Sequence, residues 1–355
     1  MTPQDLASID YRPASPVTYS PAIGLIGCGG ITAEHLTAYK KAGFRVTAMC
    51  DVRLEQARKR AVEFFPKAAV HEDYRALLDD DSIEVVDVAT HPAQRTAILR
   101  DCLLAGKHVL SQKPFVTDIQ IGRDLVALAK QQEVQLAVNQ NGRWAPHYRF
   151  AHNAITAGLL GQVYAVHLGC HWDHTWVRGT EFEKIRHLVL YDFAIHWFDL
   201  VRYFLGNVHA TSVMASTCRL PGQDLAPNLL AQVLLQFPSA QATLIFDAGV
   251  TQGSLDQTYI AGTGGTLRSS GPSLQAQRVE LCLPHGTWEP ELQGHWFPDG
   301  FHGTMGELLC AIEQGRQSTL AAEENLKSLQ LCFAALASAD SGQPVVPGSV
   351  MKLPD

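Results

Sequence analysis

The stretch that most constrains this chain runs Ala22-Ile23-Gly24-Leu25-Ile26-Gly27-Cys28-Gly29-Gly30-Ile31-Thr32. An apolar run of strand type leads straight into glycines. A helical pattern follows from Ile31 to Ala42, with Leu36 and Tyr39 on one face. Strand, glycines, helix is the order that a dinucleotide-binding turn requires. Gly27 lets the chain turn sharply, and Gly29 removes a side chain where a pyrophosphate must approach. The helix start at Gly30 and Ile31 then offers N–H groups and a positive dipole end to the phosphates. The usual third glycine is Thr32 here. A tight turn with no ligand would use the same Gly-x-Gly, so the next strand has to decide.

That strand reads Arg45 to Cys50, with Asp51 at its end. An acidic residue about 20 positions past the glycines accepts from the adenosine ribose hydroxyls. A carboxylate there repels a 2′-phosphate, so the expected cofactor is NAD. Arg53 leaves NADP open, although a solvated place in the first turn of the next helix explains that residue better. From Ala22 to about Gln140, strand and helix patterns continue to alternate, which predicts an α/β fold with a doubly wound parallel sheet. Its ligands would lie beyond the strand ends at Thr90-His91-Pro92, Ser111-Gln112-Lys113-Pro114 and Asn139-Gln140-Asn141. Thr90, His91, Gln112 and Lys113 therefore join the cofactor candidates Gly27, Gly29, Gly30, Ile31 and Asp51.

Past Arg143 the rhythm changes. Helices are expected over Pro146–Ala157, Leu188–Phe204, Thr304–Gln314 and Glu323–Ala337. Strands are expected over Val163–His171, Ala210–Thr217, Ala231–Phe237, Ala240–Phe246, Tyr259–Ala261, Thr266–Arg268 and Arg278–Leu283. Runs of strands without helices between them predict an open, mostly antiparallel sheet. The expected organisation is an arm over 1–21, disordered or packed on a neighbour, a Rossmann domain over 22–142, and a substrate-binding and oligomerisation domain over 143–355.

Asp192 and His196 stand four residues apart in the Leu188–Phe204 pattern, a spacing that puts both on one helix face. Histidine titrates near neutrality and can take a proton from an alcohol. A satisfied core histidine among Tyr191, Phe193, Trp197 and Phe198 is the competing reading. Lys113, between an apolar strand and Pro114, can hold a substrate hydroxyl and stabilise a developing alkoxide, or be a plain surface lysine.

At these residues the chain resembles the Gfo/Idh/MocA oxidoreductases, the glucose–fructose oxidoreductase and inositol dehydrogenase family. Gly27-Cys28-Gly29-Gly30-Ile31 with His35 looks like its opening motif. Ala105-Gly106-Lys107-His108-Val109-Leu110-Ser111-Gln112-Lys113-Pro114 looks like its Ala-Gly-Lys-His-Val…Glu-Lys-Pro segment. Asn141-Gly142-Arg143-Trp144-Ala145-Pro146 resembles its lead into the second domain, and Asp192-x-x-x-His196 its Asp-x3-His pair. The resemblance implies metal-free oxidation of a sugar, sugar acid or cyclitol by NAD or NADP. It makes His196 the general base and Lys113 its assistant, and implies a homodimer or homotetramer through the second sheet. Two departures stand out: Gln112 replaces the glutamate, and Arg95 stands where a histidine usually follows the fourth strand.

Two other enzyme and non-enzyme readings compete. Some relatives cleave or eliminate a glycosidic bond in an internal redox cycle on bound NAD, and a sensor could keep the fold without catalysis. Retention of Lys113, Asp192 and His196 argues against the sensor. Arg143, Trp144, His171, Trp172 and His302 are the substrate-binding candidates. The loop His171-Trp172-Asp173-His174 reads as a sugar-binding loop rather than a divalent-metal site, and no metal is expected. A net charge of −7 argues against nucleic acid and anionic membranes. The eight cysteines are scattered singly, as in a cytoplasmic protein with reduced thiols.

Overall fold

The computed structural model describes residues 9–206 and 208–354, and the chain divides into two compact units. One comprises Arg12–Trp144 and Phe297–Leu326. The other comprises residues 9–11, Ala145–Trp296 and the chain from Lys327 onward.

The first unit is built on six parallel strands: β1 (Ala22–Ile26), β2 (Arg45–Cys50), β3 (Ala69–His71), β4 (Ile83–Val88), β5 (His108–Ser111) and β6 (Leu136–Val138). Their order is β3-β2-β1-β4-β5-β6, so the direction of winding reverses between β1 and β4. That reversal opens a crevice at the carboxyl ends, where ligands of such sheets bind. Between the strands run α1 (Thr32–Ala42), α2 (Leu54–Phe64), α3 (Arg75–Leu78), α4 (Pro92–Leu104) and α5 (Ile119–Gln131). Asp118 caps α5, its side chain accepting from the Gln120 amide at 2.8 Å.

The boundary expected at 142/143 is not where this unit ends. Phe301, Met305, Leu308 and Leu309, on one stripe of a later helix, are buried in the same cluster as Ile23, Leu36, Tyr39 and Val85. Their helical spacing is what returns 297–326 to this core. Gly303 is the closest approach. A Cβ there would sit 2.0 Å from the Trp144 indole, so only glycine fits. The N-terminal arm also differs from expectation, because residues 12–21 belong to this same unit. The Glu313 carboxylate accepts from the amides of Val17, Thr18 and Tyr19 at 2.6–3.0 Å. Those bonds hold its pKa down at about 2.

The second unit is an eight-stranded sheet of β7 (Val163–His171), β8 (Ser212–Cys218), β9 (Leu230–Gln236), β10 (Gln241–Asp247), β11 (Leu255–Gly262), β12 (Thr266–Ser273), β13 (Ala276–Leu283) and β14 (Gly286–Trp288). The order is β14-β13-β12-β11-β7-β10-β9-β8, antiparallel throughout except for the β7–β10 pair. Strands alternate cleanly: Ala231, Val233 and Leu235 of β9 are buried while Gln232, Leu234 and Gln236 are exposed. The helices are α6 (Pro146–Thr156), α7 (Ile195–Leu205), α8 (Trp296–Glu313, broken at Phe297) and α9 (Ala322–Ser341). All of α8 beyond Trp296 and the first turn of α9 count with the parallel-sheet unit.

The helix expected as Leu188–Phe204 is not one regular helix. Val189–Phe193 forms a π turn, with the Ala194 amide bonded to the Val189 carbonyl at 2.8 Å, and α7 starts only at Ile195. One extra residue per turn is what the longer hydrogen bond accommodates. No helix among the described residues is long and apolar enough to cross a membrane.

Candidate active site

The glycine turn has the geometry its sequence demands. Gly27 donates to the Cys50 carbonyl at 2.8 Å and has φ +90°. A Cβ there would lie 2.9 Å from the Ala89 carbonyl oxygen, so the position excludes any side chain twice over. Gly29 and Gly30 are the opposite case, with nothing within 4 Å of where a Cβ would sit. Their open side is the cradle a pyrophosphate needs at the start of α1. Ile31 occupies the N-cap position of that helix without a side-chain bond to it. Thr32, in the place of the third glycine, is buried, and its hydroxyl donates to the Gly29 carbonyl at 2.7 Å. Arg60 donates to the carbonyls of Gly29 and Gly30.

Asp51 binds this turn from the end of β2. One carboxylate oxygen accepts from the Cys28 amide at 2.8 Å and the other from the Arg53 amide at 2.9 Å. Arg53 keeps a guanidinium nitrogen 3.9 Å from that carboxylate, with 72% of its side chain exposed. Burial, with Asp51 close by, pushes the Cys28 thiol up to about 12. That thiol is a packing group and not a nucleophile.

Beside the turn, the ends of β4 and β5 are tied together. Arg95 is fully buried, and its guanidinium donates to the carbonyls of Thr90, Gln112 and Pro114. His91 stands exposed at the head of α4. On the other side of the β5 end lies a buried polar set. His35 Nδ1 is 2.7 Å from Asp87 Oδ2, and the Tyr39 hydroxyl donates to the same oxygen at 2.7 Å. His35 Nε2 lies 3.2 Å from Gln112 Nε2, while Gln112 Oε1 accepts from the Lys113 amide at 2.7 Å. Lys113 thus sits at a strand end whose backbone is held by Arg95 at the two flanking carbonyls and by Gln112 at its own amide.

In the antiparallel-sheet unit, Asp192 and His196 are 8% and 7% exposed. Asp192 lies in the π turn, and His196 is the second residue of α7, edge-on to Trp296 with centroids 5.5 Å apart. At the end of β7, His171 is paired with Asp247 at 2.6 Å. His174 is buried, edge-on to Trp172 with centroids 3.9 Å apart and tilted against Phe193 at 4.1 Å. Burial lowers its pKa to about 4, so it is neutral at physiological pH. Among the described residues no group of three or more His, Cys, Asp or Glu is placed to hold a metal ion.

Three substrate candidates are built into the parallel-sheet unit. Arg143 is buried and donates to the Thr319 carbonyl at 2.9 Å. Trp144 packs on Gly303. His302 is the third of these candidates. It lies within α8, 2.8 Å from the Ser15 hydroxyl and edge-on to Phe44. The arm therefore occupies the side chain that sequence reasoning offered to a substrate. Sequence reading missed Asp256 altogether. It is 2% exposed on β11, neither of its carboxylate oxygens makes a hydrogen bond, and burial raises its pKa to about 6 against the pull of the Cys170 thiol and His171. Nothing in its local pattern sets it apart from an exposed strand residue; only the pairing of β11 with β7 places it inside.

The chain is similar to known proteins over most of its length. Residues 22–140 match the model of an oxidoreductase family with an NAD-binding Rossmann fold, and residues 148–268 match the Gfo/Idh/MocA C-terminal domain. D-apiose dehydrogenase of Paraburkholderia graminis is 25% identical, over 90% of this chain and 88% of its own. Inositol 2-dehydrogenase of Rhizobium meliloti is 23% identical, over 89% and 96%. The crystal structure of an oxidoreductase from Agrobacterium radiobacter in complex with NAD+, L-tartaric acid and magnesium superposes with a TM-score of 0.83 at 21% identity, covering 93% of this chain and 99% of that one.

Proposed function

Because this chain belongs to the Gfo/Idh/MocA oxidoreductases, NAD-dependent enzymes acting on CH–OH groups, we propose that it oxidises a sugar, sugar acid or cyclitol and that Lys113, Asp192 and His196 carry the reaction. Bound NAD supplies the hydride acceptor. The open cradle of Gly29 and Gly30 supports a pyrophosphate there, and the anionic end of β2 supports an unphosphorylated ribose at Asp51. Thr90, His91 and Gln112 are the strand-end residues on the nicotinamide side.

His196 takes the proton of a secondary hydroxyl, the step for which an imidazole is suited at neutral pH. Asp192, one turn earlier, holds a substrate hydroxyl or orients that ring. Lys113 presents an ammonium to the oxygen as negative charge develops on it. Trp172 and His171 offer an aromatic face and a polar edge to a sugar ring. The observation that carries this reading is the pair of buried polar side chains Asp192, in a π turn, and His196, in the first turn of the helix that follows, since π turns often accompany functional sites.

The test is nicotinamide absorbance with NAD and then NADP over a panel of sugars, sugar acids and inositols that includes D-apiose. Reduction of NAD by one substrate class is the expected result. A flat trace from protein that binds NADH would overturn net dehydrogenation and favour the internal redox cycle. The eight free thiols, most of them buried, support a place in the cytoplasm. The open face of the eight-stranded sheet supports a homodimer or homotetramer.

A further inference from the structure

The hydrogen bonds behind Lys113 have only one consistent polarity. The Lys113 amide can only donate, so the Gln112 atom 2.7 Å away is its carbonyl oxygen. The other end of that side chain is then its NH2 group, which can only donate. The His35 Nε2 it meets at 3.2 Å must accept, and so carries no proton. The ring proton is on Nδ1, donated to Asp87 at 2.7 Å, beside the Tyr39 hydroxyl on the same oxygen. Every member of the set is buried except Lys113 itself, which is partly exposed. On the opposite side, Arg95 donates to the carbonyls of Gln112 and Pro114, the residues flanking Lys113.

We infer that Gln112 is a positioning residue: it couples the fixed tautomer of His35 to the backbone of Lys113, with Arg95 holding the same segment from the other side. The inference rests on the reading of Lys113 as the residue that meets the substrate oxygen. A glutamine is needed here because it donates at one end and accepts at the other. Glutamate could still accept from Lys113, but it could reach His35 only if the ring carried a second proton. The titratable groups that meet His35 are Asp87 from β4 and Tyr39 from its own helix; α8 presents Phe301, and the β5 end presents Gln112.

Two variants and one spectrum test this. Gln112→Leu keeps the shape and removes both bonds. It should lower kcat by roughly ten-fold or more with a smaller change in substrate KM, since small displacements of a reacting group cost that much. Gln112→Glu should add a limb to the kcat profile that falls as pH rises through the range where an imidazole loses its proton. A base such as His196 gives the opposite slope. Histidine 15N NMR, with His35→Gln to assign the signal, should find His35 protonated on Nδ1 alone at neutral pH. This spectrum needs no substrate, so it judges the relay even if the dehydrogenase reading fails. The proposal is overturned by a ring protonated on Nε2, or by a Gln112→Leu enzyme with wild-type kcat. A wild-type pH profile in Gln112→Glu would overturn it as well, and would do so if the leucine variant did not fold.

Discussion

His196 and Asp256 are both buried titratable side chains of one unit, yet they invite opposite tests. For His196 the expectation is loss of chemistry without loss of binding. Replacing it with asparagine keeps a polar group of similar size but removes the proton acceptor. Turnover should fall by about a hundred-fold or more, with NADH affinity and melting temperature unchanged; a His196→Asn enzyme that still turns over would show that another group is the base. For Asp256 the expectation concerns stability. Its carboxyl titrates near 3.8 when exposed and at about 6 in the fold, because burial penalises the charge. Between those values the folded state keeps a proton that the unfolded chain releases. Stability is therefore fully present below the lower value and is lost as pH rises through the upper one. Asp256→Asn has no charge to desolvate. Denaturant unfolding should show its stability nearly flat across that window, with a gain on the order of 2 kcal/mol at neutral pH. An unchanged slope would mean that Asp256 is not the group responsible.

Elements show where sequence was legible and where it was not. The β1–turn–α1 unit was readable because its requirements are local: Gly27 at φ +90°, open space at Gly29 and Gly30, and Asp51 at the next strand end. The alternation of the second sheet was readable for the same reason, apart from the three-residue β14. Three features left no trace in the apolar pattern. The π turn at Val189–Phe193 keeps the apolar spacing of an ordinary helix. The Glu313 clamp joins the arm to α8 across nearly the whole chain. The return of α8 to the parallel-sheet core follows from its apolar stripe, but the close seating of Gly303 on Trp144 is a pairing that no periodicity reveals. That last contact makes a sharp prediction. Gly303→Ala would place a methyl 2.0 Å from a buried indole, and overpacking of this kind costs about 1–3 kcal/mol or more. Thermal unfolding should begin several degrees lower, and NADH binding should weaken only as the unit unfolds. A variant as stable as the parent would mean that Trp144 can move aside.

At the scale of the whole molecule, the unexplained surface is the open face of the eight-stranded sheet. Strand register places Leu234, Thr243, His167, Tyr259, Arg268 and Glu280 in one row across six strands. Leu234 is 59% exposed and Tyr259 43%, with Ile245 and Leu255 also open on this face. The row changes character along its length, from apolar at β9 to the Arg268–Glu280 pair at β12 and β13. A sheet face that served only as a solvated surface would carry polar side chains at these outward positions, as β9 does at Gln232 and Gln236. Large exposed apolar side chains set among polar ones and rimmed by charges are instead a pattern found at association surfaces. The proposed homo-oligomer would use this face, since a two-fold axis lets each Arg268–Glu280 rim face its own kind with both signs available. Light scattering should therefore give a mass that is a multiple of 38.8 kDa. The pair Leu234→Asp and Tyr259→Asp, on exposed positions that leave the helix-facing side untouched, should shift that mass to the single chain with circular dichroism unchanged. If the doubly substituted protein kept the parental mass, the association would have to use another surface, and the apolar row would be left without a partner.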